Sequence, residues 1–416
     1  MNIDLSLMAE KYDTPLYLYD FDEVSAHYKE LKEAFEGHKS LISYAVKANS
    51  NLSVISHLAQ LGAGADCVSI GEVKRALAAG VERYRIIFSG VGKRDSEIRE
   101  ALESGILMLN LESEAEMKRV EMVAEEMGKE ARISIRVNPN IDPKTHPYIS
   151  TGLHENKFGV EIDMAKRMYI YAKRSPHLDP VGIHFHIGSQ LTELEPIREA
   201  AMIVSDLVRS LQAIDIEIKF FDVGGGLGIV YKDEETIRPQ AYAEIIFEAI
   251  KGLDLTIVCE PGRYLMANAG YLLTRVLYEK ENAGKRFVIV DAAMNDLIRP
   301  SLYDAYHKIE HPEKDGEPAE GTPADVVGPI CESGDFLGRN VILPPLEHDD
   351  LLLIYSAGAY GFTMASNYNT RGRAAEVAIV DGVDHCIRKR ETFEEQIAME
   401  KACDNSWQGR GQKGEM

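Results

Sequence analysis

Short apolar runs alternate with longer amphipathic segments along the first two thirds of the chain. In segments such as 72–79, 112–127, 194–214 and 242–251, apolar residues recur at the three- and four-residue spacing of a helix. A closed parallel barrel and an open doubly wound sheet both have this alternation, but eight strands favour a TIM-like (β/α)8 barrel, here over residues 24–265. The candidate strands are 41–46, 63–68, 85–89, 106–110, 132–137, 181–186, 219–223 and 255–260.

The pattern changes after about residue 265, where strand-like runs follow one another with few helical periods between them. This predicts an antiparallel β-rich C-terminal domain, a barrel or a sandwich, built from residues 1–23 and 266–393. A strand at 14–19 is expected to join it, 311–323 to form an exposed loop, and 394–416 to be a flexible polar tail. The other candidate strands are 271–278, 286–291, 324–331, 350–355 and 376–380.

Composition excludes several classes of partner. The net charge of −21 repels nucleic acid and anionic membranes. The sequence has no apolar run long enough to span a membrane, and its first ten residues do not resemble a secretory signal. Five cysteines, none of them spaced as C-x-x-C, predict free thiols in a cytoplasmic protein.

Polar residues cluster where the candidate barrel strands end. In a (β/α)8 barrel these ends open onto one mouth, where active sites are built. Any single strand could end in a polar residue without functional meaning, but that explanation accounts poorly for the whole set. The long connection 138–160, rich in proline and glycine, is a candidate lid over the mouth. The strand-end residues are Lys47, Asp66, Ser89, Gly90, Asn110, Asn138, His186, Gly224, Gly225, Gly226 and Glu260.

Three of these strand ends match the needs of a pyridoxal phosphate site. A lysine such as Lys47 can form a Schiff base if burial lowers its pKa. The glycines of 224–228 can bring backbone N–H groups to a phosphate, helped by a following helix N-terminus. Glu260 can pair with the ring nitrogen and Arg263 with an anion. The alternatives are a solvent-exposed lysine, a ligand-free glycine turn and a Glu260–Arg263 salt bridge.

Spacing alone leaves the roles of other candidate residues open. His184 and His186 share a strand face, and a flat cofactor ring could stack on His186, although barrel histidines are more often packing residues. The sequence contains no H-E-x-x-H motif or Cys/His cluster, so no metal site is predicted. In the second domain, Cys331 lies in a polar turn motif where its thiol could donate a proton.

Together these motifs resemble the alanine-racemase-like (fold type III) pyridoxal phosphate decarboxylases, from the YAVKAN string at 44–49 to residue 368. The strings at 294–303, 331–335 and 359–361 are most similar to members that convert meso-2,6-diaminopimelate to L-lysine and CO2, the last step of lysine biosynthesis. The resemblance implies pyridoxal 5′-phosphate as cofactor and a homodimer in which Cys331 and Glu332 complete the partner's site.

The resemblance also implies a role for each matching position. Lys47 would form the Schiff base and Cys331 would return a proton to the substrate. The implied cofactor contacts are Lys47, His186, Ser189, Gly225, Gly226, Glu260, Gly262, Arg263 and Tyr360. The implied substrate contacts are Arg263, Arg299, Tyr303, Glu332 and Tyr360.

Three alternatives stay open at this point. A decarboxylase of the same fold could act on ornithine, arginine or a carboxylated polyamine, but Arg299 would then have no distal carboxylate to bind. A non-catalytic cofactor carrier would need neither Cys331 nor Tyr360. An amino-acid racemase would need a second base on the opposite face of the ring.

Overall fold

The computed structural model describes residues 3–142, 157–312 and 321–403, and it contains a closed barrel of eight parallel strands. This confirms the barrel prediction, and every predicted barrel strand overlaps an observed one. Helix α1 (Leu5–Tyr12), strand β1 (Leu16–Asp20) and helix α2 (Phe21–Ala34) precede the barrel. The barrel strands are β2 (Ser40–Ala45), β3 (Gly64–Cys67), β4 (Ile86–Phe88), β5 (Met108–Leu111), β6 (Ala131–Arg136), β7 (Leu178–His184), β8 (Phe220–Asp222) and β9 (Thr256–Cys259).

Helices cover the outside of the barrel. Several begin at a side-chain cap, as where Ser69 and Ser113 accept hydrogen bonds from backbone N–H groups of the first turn. Helix α2 completes the outer layer of helices. It packs against the helices on either side of the position where the last barrel strand, β9, pairs with the first, β2. The other helices are α3 (Leu52–Gln60), α4 (Ile70–Ala78), α5 (Asp95–Ser104), α6 (Glu114–Glu126), α7 (Ile162–Arg174), α8 (Glu195–Gln212), α9 (Pro239–Ala249) and α10 (Arg263–Met266).

Side chains fill the barrel interior away from the mouth. Ile87, Met108, Val181 and Val258 form one buried cluster there. Packing is close enough that a Cβ atom added to Gly182 would lie 2.9 Å from the Met108 sulfur. The barrel is therefore a packed core, and the space available for a ligand lies at the C-terminal ends of the strands.

The second domain is a nine-stranded, mostly antiparallel sheet, which confirms the predicted fold class. The order of its main path is β14-β13-β11-β10-β1-β16-β17, and β15 pairs with β10 and β12. Strand β1 lies in this sheet, antiparallel to β10 and parallel to β16. The other strands of this sheet are β10 (Gly270–Asn282), β11 (Lys285–Val290), β12 (Ile309–Glu310), β13 (Thr322–Val327), β14 (Phe336–Leu343), β15 (Leu351–Ile354), β16 (Ala375–Val380) and β17 (Val383–Arg388).

Several local predictions differ from the structure. Strands β14 and β17 were missed because both carry exposed polar residues and lack a clean apolar alternation. The strand predicted at 324–331 ends at Val327, since glycine and proline follow. Within the segment expected to be a flexible tail, helix α12 (Phe393–Lys401) forms behind a Thr392–Glu395 capping box.

Three predicted features fall wholly or partly outside the described residues. These are the central part of the candidate lid at 143–156, most of the predicted exposed loop at 313–320, and the end of the chain at 404–416. Across the described ranges, no helix combines the length and apolar character needed to cross a lipid bilayer.

Hydrogen bonds join the sheet to the barrel next to the barrel mouth. Glu376 of β16 accepts hydrogen bonds from the Tyr19 hydroxyl at 2.7 Å and from Asn51 Nδ2 at 2.9 Å. The backbone N–H of Tyr360 donates to the Ala48 carbonyl at 2.8 Å. These contacts hold the loops of the second domain over the strand ends.

Candidate active site

A cavity of about 880 Å³ lies at the C-terminal ends of the barrel strands and is lined by both domains. The short helix α11 (Arg299–Tyr303) brings side chains from the second domain to it. Most of the residues predicted from sequence therefore meet in one place. Those in the lining are Lys47, His186, Ser189, Gly225, Gly226, Glu260, Gly262, Arg263, Arg299, Tyr303 and Tyr360.

Lys47 follows β2 in a single 3₁₀ turn, and its Nζ lies 3.2 Å from Oδ2 of Asp66, the buried residue near the end of β3. Burial lowers the pKa of Lys47, but attraction to Asp66, with smaller effects of Tyr360 and Glu260, outweighs burial and leaves that pKa raised. The expectation of a burial-lowered pKa was therefore wrong, because the sequence did not place an acid beside this lysine.

Glu260 directly follows β9 and lies deep in the cavity. Its Oε2 is 3.4 Å from His184 Nε2, and Oε1 is buried with no hydrogen-bond partner among the described residues. Burial raises the pKa of Glu260, but attraction to His184 and Lys47 outweighs it, so the pKa lies at about 2. Burial raises the pKa of the neighbouring Asp222 carboxyl well above its usual range. Glu260 is thus a buried, ionised carboxylate in the lining of the cavity.

The glycine turn follows β8. A Cβ atom added to Gly225 would lie 2.2 Å from the Glu260 carbonyl oxygen, and Gly226 has a φ of +113°, so neither position accommodates a side chain. The Gly225 N–H donates to His186 Nδ1 at 3.3 Å. Burial, then the charges of Arg136 and Lys47, lower the pKa of His186 well below its usual range, so this ring is neutral.

No helix follows the glycine turn directly, which corrects one prediction. The backbone beyond Gly226 forms a bridge between Leu191 and Leu227, and the next helix, α9, begins only at Pro239. The extended bridge prevents helical winding at this point. A helix dipole does not therefore support this turn, and arginine side chains supply positive charge to the cavity.

Arg263 does not pair with Glu260, so the interpretation of these residues as a simple salt bridge was wrong. Its Nη2 donates to Ser189 Oγ at 3.0 Å, and its Nη1 donates to the Tyr231 hydroxyl at 2.6 Å. Arg299 Nη1 donates to the same hydroxyl at 2.8 Å. Within the described ranges, neither guanidinium forms an ion pair with a carboxylate. The cavity therefore contains two buried cations with anion-binding capacity.

Tyr360 lies beside these arginines in a conformation that few non-glycine residues adopt. Its φ is +57°, and its ring centre is 5.0 Å from the Arg263 guanidinium carbon. A Cβ atom added to Gly262 would approach the Tyr360 hydroxyl to 3.4 Å and two alanine Cβ atoms to 3.1 Å. Strained conformations of this kind concentrate at ligand sites, where the surrounding contacts maintain them.

Cys331 and Glu332 do not line this cavity. Both are exposed in the turn after β13, where the Cys331 N–H donates to Asn369 Oδ1 at 2.9 Å. The Asp335 carboxylate accepts from the backbone N–H groups of Met294 and Ile330 at 2.7 and 2.8 Å. This turn is therefore held in a defined shape while its thiol faces outward.

Sequence reasoning did not assign roles to several residues of the site. Asp222 and His184 end barrel strands and Asp66 is one residue from the end of its strand, and that position was a usable signal. Tyr231, which contacts both arginines, lies in a loop with no periodicity or motif. Its role depends on contacts made across long stretches of chain.

A lysine, an ionised buried carboxylate, a glycine turn and two arginines at a (β/α)8 barrel mouth are the features of the pyridoxal-phosphate-dependent class of barrel enzymes. Residues 21–267 match the family "Pyridoxal-dependent decarboxylase, pyridoxal binding domain". The diaminopimelate decarboxylase of Campylobacter jejuni is 58% identical over 401 residues, covering 96% of this chain and 99% of that protein. The diaminopimelate decarboxylase of Neisseria meningitidis serogroup B is 51% identical over 397 residues, or 95% of each chain.

Solved structures agree with these matches. The Helicobacter pylori diaminopimelate decarboxylase complexed with L-lysine superposes with a TM-score of 0.93 at 54% identity, over 96% of this chain and 100% of that one. The M. jannaschii enzyme in complex with L-lysine gives a TM-score of 0.90 at 38% identity, over 95% and 94% of the two chains. This chain belongs to the pyridoxal-dependent decarboxylases and, within them, to the diaminopimelate decarboxylase family.

Proposed function

We propose that this protein decarboxylates meso-2,6-diaminopimelate to L-lysine and CO2 with pyridoxal 5′-phosphate as cofactor, in the last step of lysine biosynthesis. The observation that carries the proposal is the pair Arg263 and Arg299, two guanidiniums without carboxylate partners in the described structure, in the same cavity as Lys47 and Glu260. One cation suits the cofactor phosphate. The second suits a substrate that is itself an amino acid at its far end.

The residues present fit the cofactor. Glu260 lines the cavity as a buried, ionised carboxylate, which is the partner that a protonated ring nitrogen requires. Lys47 would hold the cofactor's aldehyde carbon, His186 would lie against the ring, and Tyr360 would contact it. When bound, the cofactor supplies an electron sink for the electron pair left as CO2 departs. The phosphate would be held by Ser189, Gly225, Gly226, Gly262 and Arg263.

Asp66 lies where it can hold or accept the proton of Lys47 Nζ. Its Oδ2 lies 3.2 Å from Lys47 Nζ, the distance of a direct hydrogen bond. Burial, then the charge of Glu260, raise the pKa of Asp66, so this carboxylate can accept a proton more readily than an exposed one. We propose that Asp66 holds the Lys47 ammonium by this hydrogen bond and is the nearest acceptor for its proton.

The far end of the substrate would lie against Arg299 and Tyr303, with Arg263 and Tyr360 also in reach. We propose that Glu332 of a second subunit pairs with the far ammonium and that Cys331 of that subunit returns a proton to the reacting carbon. Support comes from their exposure on a turn that Asp335 holds in shape. The working unit would be a homodimer with two composite sites.

Two further proposals concern the whole chain. Five free cysteines, two of them buried and three exposed, support a cytoplasmic location. We also propose residues 24–265 and residues 1–23 with 266–393 as the two folding domains.

The test is a substrate panel with purified protein and added cofactor. CO2 release is measured from meso-diaminopimelate, ornithine, arginine and a carboxylated polyamine. We expect turnover of meso-diaminopimelate to exceed the others by orders of magnitude, because substrates without the far carboxylate leave Arg299 buried and unpaired. Faster release from any other substrate would reject the assignment.

A further inference from the structure

A buried histidine supports Arg299 from outside the cavity. His307 follows helix α11 and is 2% exposed. Its Nε2 lies 3.3 Å from Arg299 Nη1, and its ring packs edge-on against Tyr231 at 5.7 Å between centres. His307 is not among the residues that line the cavity. His307 therefore acts on a ligand through lining residues, and its ring contacts two of them, Arg299 and Tyr231.

The hydrogen-bond pattern determines which nitrogen of His307 carries the proton. Nδ1 lies 2.9 Å from the carbonyl oxygen of Tyr355, which can only accept, so Nδ1 must be the donor. Burial, then the charge of Arg299, lower the pKa of His307 to about 3, so the ring is neutral and Nε2 has a free lone pair. That lone pair accepts the N–H of Arg299 Nη1.

The groups that accept hydrogen bonds from Arg299 are neutral, so its positive charge remains available to an anionic ligand. The Tyr231 hydroxyl and His307 Nε2 both accept from Arg299 Nη1. Neither partner is an anion, and the described residues include no carboxylate paired with this guanidinium. The buried cation is thus held in place by hydrogen bonds while its charge remains uncompensated until an anionic ligand arrives.

We propose that His307 is the positioning residue that orients Arg299 toward the carboxylate at the non-reacting end of the substrate. The proposal rests on the function proposed above. Without this acceptor the guanidinium keeps only the Tyr231 hydroxyl as a partner at Nη1, so its orientation is less restricted and selectivity for ligands with a far carboxylate falls.

The experiment compares two ligands that differ at that carboxylate. L-lysine keeps the carboxylate of the non-reacting end, whereas cadaverine lacks it. Their affinities are measured by calorimetry on cofactor-loaded protein for the native chain, His307→Leu, His307→Asn and His307→Gln. We expect His307→Leu to bind L-lysine at least about tenfold more weakly and cadaverine equally well. His307→Gln, whose amide oxygen can replace Nε2, should retain most of the affinity, and the shorter asparagine should not.

Two controls separate positioning from general damage. His348→Leu removes an exposed imidazole whose Nδ1 also faces a carbonyl, that of Leu277 at 2.8 Å, far from Arg299 in the sheet domain. The His348→Leu variant should bind L-lysine and cadaverine with the affinities of the native protein. Cofactor affinity, measured on the same samples, should be unchanged in all variants. In turnover, His307→Leu should raise KM for meso-diaminopimelate with kcat nearly constant.

The outcomes distinguish this inference from the proposed function. If native protein does not prefer L-lysine over cadaverine and does not decarboxylate meso-diaminopimelate, the proposed function fails. If native protein does both, but His307→Leu binds L-lysine as tightly as native or loses both ligands equally, the positioning role is wrong. Should the leucine variant not fold, the glutamine and asparagine variants decide, and equal L-lysine affinity in those two overturns the inference.

Discussion

Removing the Glu112 carboxylate should destabilise the barrel far more than removing an exposed carboxylate. Glu112 Oε1 accepts from Arg136 Nη1 at 2.9 Å, and Oε2 accepts from the Gly159 N–H at 2.8 Å. Arg136 in turn lies 4.6 Å from the centre of the Phe158 ring, which lines the cavity. One buried carboxylate thus joins the end of β5, the end of β6 and the chain that re-enters the barrel at 157–160.

The size of the effect follows from distance and burial. The Glu112 and Arg136 side chains are 3% and 8% exposed. At 2.9 Å and an effective dielectric constant of about 20, their attraction is about 6 kcal/mol. Removing one partner of a buried pair costs about 3–5 kcal/mol, because the other charge stays buried and unpaired. For Glu112→Ala this corresponds to a fall in Tm of about 10 °C in a barrel of this size.

The assay is thermal and urea unfolding followed by circular dichroism. Glu126→Ala is the matched control, because Glu126 pairs with Arg99 at 2.5 Å between successive helices but is half exposed, and its loss should cost about 0–1 kcal/mol. The double variant Glu112→Ala/Arg136→Met should recover part of the stability, since no buried charge is left unpaired. Equal losses in Glu112→Ala and Glu126→Ala would refute the reasoning.

Three other changes test the site and its surroundings. Borohydride reduction should leave cofactor mass on the peptide containing Lys47 and none after Lys47→Ala; mass trapped on another lysine would contradict the assignment. Burial raises the pKa of Asp296 from 3.8 to about 7. The folded protein is therefore most stable, as far as this group is concerned, below about pH 4, and this contribution to the free energy of unfolding is lost as the pH rises through 7. The unfolding free energy of Asp296→Asn, relative to that of the native protein, should therefore rise by about 3 kcal/mol as the pH is raised from 5 to 8. A difference that does not change with pH would disprove this. Cys331→Ala should keep the cofactor but lose turnover, and mixing it with Lys47→Ala should restore about a quarter of native activity if subunits exchange, since one site in four is then intact; no restoration would argue against a shared site.

Local sequence signals predicted the barrel and much of its mouth. The spacing of apolar residues that indicates a strand or a helix involves only residues that are close in sequence. The eight barrel strands could therefore be found without knowing the fold. Lys47 and Glu260 follow strands, and a barrel brings all strand ends to one face. Strand β17 was missed for the converse reason, because as an edge strand it buries little and lacks a clear apolar pattern.

The chemistry of individual groups was less predictable than their location. Lys47 was expected to have a burial-lowered pKa, but the Asp66 carboxylate beside it raises that pKa. The glycine turn was expected to lead into a helix, but pairing of Leu227 with Leu191 keeps the chain extended. In each case the deciding partner is distant in sequence or belongs to another strand.

By itself, the amino-acid sequence determined the (β/α)8 barrel, the β-rich second domain and the set of strand-end residues that face one cavity. Only the tertiary structure decided how those residues behave: Glu260 pairs with His184 rather than Arg263, and Tyr231 and His307 hold Arg299 without neutralising it. Periodicity records which face of an element is buried, and that information is local. Protonation and ion pairing depend on separations of a few ångströms between distant segments, and only the folded chain sets those distances.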